Sequence, residues 1–221
     1  MIKEFIQLVY PDYCSGCNQQ LQFSETGICS SCLVEVRNYS LIASNIPFGR
    51  NIVMKEIYVF KNFKNPLIQK MIYEIKYNGN KSTAYTLGVE LGSLIKRSKK
   101  VVDFDIIIPV PVSKLKKQQR GYNQCQLIAE GVSNIIKTPI ISNYLIRNNN
   151  MTSQVKSSRY NRWLNVDNDY KLIKELKNGI RILLIDDVVT TGATINSCLN
   201  AIQKNIKFNI TVAALAGNKF T

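Results

Sequence analysis

One stretch constrains the fold of this chain more than any other. Residues 182–194 read Ile-Leu-Leu-Ile-Asp-Asp-Val-Val-Thr-Thr-Gly-Ala-Thr. The apolar run over 180–186 has the length and content of a buried strand, and it ends at two adjacent carboxylates. A short loop of hydroxyls and glycine follows, and a helix is expected from about 193 to 204. A strand buried along its length and followed at once by a helix belongs in a parallel sheet with helices on both faces.

The rest of the chain supports that layout. Residues 56–61, 104–110, 139–146 and 208–215 read as further strands, and residues 66–77, 82–97 and 122–137 as helices, with Ser82 as the cap of the second. Ile2, Phe5, Ile6 and Val9 fall at helical spacing, and Pro11 stops that helix. A polar link through Asn45-Ile-Pro-Phe-Gly49 places a boundary near residues 40–50, with the main core beyond residue 50. The polar stretch 147–163 fits no element. It reads either as a disordered basic loop or as a mobile loop closing over a substrate.

In open α/β sheets ligands sit at the carboxyl ends of the strands. A loop entering a helix offers free N–H groups and a positive dipole end, which suit a phosphate. Thr190, Thr191 and Thr194 add hydroxyl donors, and Gly192 permits close backbone approach. Asp186 and Asp187 would repel a phosphate chain, so they fit sugar hydroxyls instead. The run therefore suits a sugar phosphate. It is not a P-loop, since no GxxxxGK[ST] occurs.

Cys14-Ser-Gly-Cys17 and Cys29-Ser-Ser-Cys32 form two knuckles separated by eleven residues. Four thiolates at that spacing can close a tetrahedron around structural zinc, with Gly16 suited to a tight turn. All four positions are then filled by protein, which leaves no open site for catalysis. Cys125 and Cys198 read as small buried thiols.

The chain has no histidine among 221 residues, which removes Ser-His-Asp, Cys-His and HExxH chemistry. Its formal charge of +14 points to polyanionic partners or to compositional habit. Lys114, Lys116, Lys117 and Arg120 cluster as a basic loop, either solvated or facing a diphosphate or DNA backbone. Tyr122, Tyr160 and Trp163 lie beside cations, either packed on the domain or free to stack bases. No apolar run reaches membrane-spanning length and the N-terminus lacks a secretory pattern, so a cytoplasmic location is expected.

The 182–194 run resembles the phosphoribosyl-pyrophosphate signature of type I phosphoribosyltransferases, in which the acidic pair holds ribose hydroxyls and the Thr-Thr-Gly-x-Thr loop holds the 5′-phosphate. Ile108-Pro-Val-Pro-Val-Ser113 resembles that family's pyrophosphate-binding turn. Tyr10-Pro-Asp-Tyr-Cys14-x-x-Cys17, Ile75-Lys76-Tyr77-x-Gly79, Arg120-Gly-Tyr-Asn-Gln124 and the spaced Arg147, Gln154, Arg159 and Asn161 narrow the resemblance to the ComF family of competence proteins, over nearly the whole chain.

The resemblance implies a type I phosphoribosyltransferase-like α/β domain over residues 46–221. Before it, residues 1–45 would hold a helix and a zinc-ribbon-like module on Cys14, Cys17, Cys29 and Cys32. Phosphoribosyl pyrophosphate would meet Lys76, Pro111, Val112, Ser113, Asp186, Asp187, Val188, Val189, Thr190, Thr191, Gly192, Ala193 and Thr194, with Asp186 and Asp187 also catalytic. Mg²⁺ would accompany it. Lys114, Lys116, Lys117, Arg120, Arg147 and Arg159 would face DNA or diphosphate. ComF proteins are implicated in natural transformation, handling single-stranded DNA on the cytoplasmic side of the inner membrane. A competence helicase or a DNA-uptake channel component there is the implied partner. The alternatives are an active phosphoribosyltransferase of nucleotide metabolism, releasing pyrophosphate with Mg²⁺, and a binding module that lost catalysis. The sequence identifies neither an acceptor nor an oligomeric state.

Overall fold

The computed structural model describes residues 10–38, 41–44, 47–48, 52–98, 103–148, 169–202 and 209–218. The helix expected over 2–9, and Gln154, Arg159, Tyr160, Asn161 and Trp163, lie outside these residues. In chain order the described elements begin α1 (Ser30–Arg37), β1 (Leu41–Ser44), β2 (Pro47–Phe48), β3 (Ile52–Asn62), α2 (Pro66–Tyr77) and α3 (Lys81–Arg97). They continue β4 (Ile106–Pro109), α4 (Lys114–Arg120), α5 (Gln124–Ile136), β5 (Leu145–Arg147), β6 (Tyr170–Leu172), β7 (Arg181–Val189), α6 (Ala193–Ile202) and β8 (Asn209–Gly217).

The main sheet runs β1-β3-β8-β7-β4, with β2 also paired to β3. The pairs β3–β8, β8–β7 and β7–β4 are parallel, and β1 and β2 pair with β3 antiparallel. β5 and β6 form a separate antiparallel pair. The expected class, a parallel sheet flanked by helices, is what the structure shows.

Strand side chains alternate between faces, and each strand divides between two buried clusters accordingly. Tyr58, Phe60, Ile107, Leu183, Ile185, Ala213 and Leu215 join the cluster that holds α2 and α3. Ile57, Val59, Ile106, Ile108, Ile182, Leu184, Ile210, Val212 and Ala214 join the one that holds α6 and the β5–β6 pair. Both faces of β7 are thus apolar, which is why its sequence does not alternate.

The core does not begin at residue 50. Cys14, Leu21, Ile28, Cys29, Cys32 and Val36 are buried in the same cluster as Ile68, Met71 and Ile75. Polar ties reinforce this. Arg37 meets Glu90 through two hydrogen bonds of 2.7 and 2.6 Å, and Ser15 Oγ lies 2.6 Å from Thr83 Oγ1.

Four local expectations change. Asn80 rather than Ser82 caps α3, its side chain accepting from the Thr83 N–H at 3.1 Å while Ser82 Oγ donates to it at 2.8 Å. The basic loop 114–120 is a helix, α4, capped by Ser113 and closed by Gly121 at φ +79°. The 139–146 run is not one strand. Ile140 makes a single parallel bridge with Ile107, the chain turns, and Leu145 opens β5. Likewise β7 does not stop at the acidic pair but runs through it to Val189.

Candidate functional site

The carboxyl ends of β4 and β7 open into a cleft of about 290 Å³. Among its lining residues are Lys76, Pro111, Val112, Lys116, Arg120, Arg147, Asp186, Asp187, Val188, Thr190 and Thr194. This brings together residues from α2, the β4–α4 turn, α4, β5, β7 and the start of α6, the place where open α/β sheets bind ligands.

Adjacent residues in a strand face opposite sides, so the two carboxylates have different surroundings. Asp187 follows Leu183 and Ile185 toward the α2 side. There Lys76 Nζ lies 2.9 Å from its Oδ2, and Gln124 Nε2 donates to the same oxygen at 2.9 Å. Asp186 follows Ile182 and Leu184 toward the α6 side. Its Oδ1 accepts from the Asp187 N–H at 2.8 Å and from the Cys125 thiol at 3.5 Å. Burial, then the neighbouring Asp187 charge, pushes the Asp186 carboxyl up to about 7. The thiols of Cys125 and Cys198 are pushed well above their ordinary range, by burial first and then by Asp186. They are buried and protonated, as expected of small core thiols.

Opposite the acids stands a group of cations. Lys116 is held below the ordinary lysine range by desolvation, then by the positive charges of Arg147, Arg120 and Lys76. Mutual repulsion of that kind is relieved when an anion enters. Arg120 Nη1 also donates to Gln124 Oε1 at 2.9 Å, so one glutamine amide joins a cleft cation to Asp187. Arg147 lies 3.5 Å from Asp169 and sits over the Tyr170 ring at 5.6 Å.

The Thr-Thr-Gly-Ala-Thr loop enters α6 as the sequence implied. Thr190, Thr191 and Thr194 are exposed, and Gly192 takes φ +74°. The Ala193 N–H donates to Thr191 Oγ1 at 3.4 Å, and Asn218 Nδ2 donates to the Thr190 carbonyl at 3.4 Å, fixing the loop to the end of β8. Val189 is buried and is not among the lining residues. Ser113 caps α4, while Lys114 and Lys117 project from that helix and also lie outside the lining. Sequence reasoning missed Gln124 as a partner of Asp187, Cys125 as a partner of Asp186, and Tyr170 and Phe63 as lining. The one available signal was Gln124 at the end of the Arg120–Gln124 motif.

A second centre lies at the knuckles. The Sγ atoms of Cys14, Cys17, Cys29 and Cys32 all fall within 4.8 Å of one another. Four sulfurs about 2.3 Å from a common tetrahedral ion would sit roughly 3.8 Å apart, so the set fits a metal such as zinc. Cys14 Sγ also accepts from the Gly16 and Cys29 amides at 3.3 and 3.2 Å. Burial raises its thiol, but these amide bonds and that of Cys17 outweigh burial and lower it to about 7. Gly16 matters here for closeness. A Cβ there would lie 2.8 Å from Cys32 Sγ and from the side chains of Leu67 and Met71.

Fold and site together define an α/β protein with an acidic pair and a threonine-rich loop at the carboxyl ends of its sheet, carrying a four-cysteine cluster. The chain is similar in sequence to ComF-type competence proteins. It is 27% identical over 198 residues to Competence protein F of Haemophilus influenzae, covering 86% of this chain and 84% of that protein. It is 29% identical to Competence protein ComFC of Bacillus subtilis over 60% of this chain and 52% of that one. DNA utilization protein YhgH of Escherichia coli K12 is 23% identical over 90% of this chain and 93% of its own. No protein-family model matches the chain. Solved neighbours include the glutamine phosphoribosylpyrophosphate amidotransferase of B. subtilis, at TM-score 0.41 and 16% identity, covering 60% of this chain and 26% of that one. Adenine phosphoribosyltransferase of Saccharomyces cerevisiae follows at TM-score 0.34 and 16% identity, covering 84% and 89%. The chain spans about a quarter of the amidotransferase.

Proposed function

We propose that this protein is a ComF-type competence protein whose cleft binds phosphoribosyl pyrophosphate and which handles single-stranded DNA during natural transformation. The observation that carries the ligand reading is the facing of Asp186 and Asp187 against Lys76, Lys116, Arg120 and Arg147 in one cleft. Carboxylates accept hydrogen bonds from ribose hydroxyls, the loop at Thr190–Thr194 and the α6 amides receive the 5′-phosphate, and the cations neutralise the diphosphate. Asp186 and Asp187 are the carboxylates that would hold Mg²⁺ in the cleft, and the ion would disperse negative charge on the bound ligand. The knuckle cysteines hold zinc, so the module over 1–45 is stapled by metal ahead of the ligand domain over 46–221.

Calorimetry with phosphoribosyl pyrophosphate and Mg²⁺ tests the reading. The Asp186→Ala, Asp187→Ala double variant loses at least two charge-assisted hydrogen bonds, worth about 1.5–3 kcal/mol each. Binding should weaken roughly a hundredfold or more. Unchanged affinity would overturn the ribose assignment. A second reading, catalytic transfer, is favoured by the β5–β6 pair carrying Arg147 and Tyr170 into the cleft. Pyrophosphate release on adding candidate bases would establish it.

A further inference from the structure

Beside the cleft, α2 has one face that no described residue covers. Lys70, Tyr73 and Tyr77 fall at positions i, i+3 and i+7, and all three are exposed. Tyr73 is 55% and Tyr77 66% exposed. Their centroids lie 4.9 Å apart at 43°, so each ring stiffens the other. The Arg120 guanidinium sits 5.9 Å over Tyr77, which joins this face to the end of α4. α4 buries none of its residues and carries Lys114, Lys116, Lys117 and Arg120. Across α2 and α4 stand six cations and one acid, Glu74, which is itself bonded by Asn78.

We propose that the Tyr73–Tyr77 pair and the cations of α4 form a docking surface for single-stranded nucleic acid. Exposed aromatics are stacking platforms for unpaired bases, and adjacent cations follow the phosphate backbone. Charge selects this occupant over a protein segment, since the surface has almost no acid to meet a mixed-charge partner. Duplex DNA hides its base faces and cannot use the rings. Arg120 is shared, so the strand would pass along the rim of the cleft rather than through the acidic pair. The inference rests on the DNA part of the function proposed above and gives it a location.

The test is fluorescence anisotropy of the full chain with a labelled oligo-dT of about 20 nucleotides, at two salt concentrations. Loss of a stacked base weakens binding about 5- to 150-fold. Tyr73→Ala, Tyr77→Ala should therefore bind at least about tenfold more weakly, with the salt dependence kept. Tyr73→Phe, Tyr77→Phe should retain affinity, because the ring rather than the hydroxyl stacks. Lys114→Gln, Lys117→Gln should flatten the slope of log affinity against log salt by about 1.4, since each phosphate no longer neutralised removes about 0.7. Wild-type affinity in the alanine variant would overturn the surface while leaving DNA handling intact. No binding by wild type at about 50 mM salt would instead sink the DNA reading itself. Equal affinity for duplex and single strand would also overturn the stacking role.

Discussion

At the scale of residues, the two carboxylates are not equivalent, and pH separates them. The Asp186 carboxyl titrates near 7 in the fold and near 4 in an unfolded chain. Between those values the folded state holds the proton and the unfolded state does not. Stability therefore falls as pH rises from about 4 to about 7, and stays low above that. Asp186→Asn removes this cost. At pH 8 it should stabilise the ligand-free protein by roughly 1.4 kcal/mol or more, one unit of displacement being worth about that much. At pH 4 it should change little. Urea unfolding at the two pH values checks this, and equal effects at both would refute it. On the proposed ligand, the same group should set binding. Ribose hydroxyls need a carboxylate acceptor, so affinity for phosphoribosyl pyrophosphate should rise as pH passes 7, with proton release in calorimetry. The acidic pair itself was legible in the sequence, because the strand, the acids and the Thr-Thr-Gly-x-Thr loop are contiguous. What distinguishes its members was not. Gln124 and Cys125 stand 63 and 61 residues away, and only packing of α5 against β7 brings them near.

At the scale of elements, α2, α3, α5 and α6 were legible because an apolar stripe met a covered face, whereas α1 was missed although Cys32, Leu33 and Val36 join the core. α2 was placed to the residue, and α3 to within one. α4 was missed because Lys-Leu-Lys-Lys-Gln-Gln-Arg has no such stripe, and its signals were only Ser113 before it and Gly121 after it. Glycines inside α3 and α5 gave no warning of their purpose either. Gly88 and Gly131 let the two helices touch backbone to backbone. A Cβ on Gly88 would strike the Ile128 carbonyl, and one on Gly131 would strike the Tyr85 carbonyl. Backbone cannot swing aside as a side chain can, so Gly131→Ala should cost about 1–3 kcal/mol. α5 also carries Gln124 and Cys125 to the acids, so the same variant should weaken ligand binding. Denaturant midpoints and calorimetry on one preparation test both. A stable variant with normal affinity would show that the α3–α5 contact does not set the site.

At the scale of the whole molecule, the cysteine cluster belongs to the sheet's own core rather than to a separate one. The spacing of the knuckles announced a metal site, but nothing local announced that Cys32 would lie against Gly16, Leu67 and Met71. The consequence is that metal loss should be felt far from the cysteines. Clustered thiolates without an ion repel one another and recover protons, so the cluster expands. α2 packs on it through Ile68 and Met71 and carries Lys76 to Asp187. Removing the metal by chelation, or by Cys14→Ser, should lower the Tm of the entire protein in a single transition. A loss of about 3 kcal/mol corresponds to roughly 6–12 °C in a chain of this size. It should also weaken phosphoribosyl pyrophosphate binding, since Lys76 loses its support. Acid should release the metal too, because protons compete for the thiolates. Cys198→Ser, on the opposite face of the sheet, should leave metal content unchanged. Metal analysis of the protein purified under reducing conditions, paired with melting curves before and after chelation, decides the matter. An absence of bound metal would sink the zinc reading. Bound metal whose removal left both melting and ligand affinity unchanged would show instead that the knuckles stand apart from the cleft.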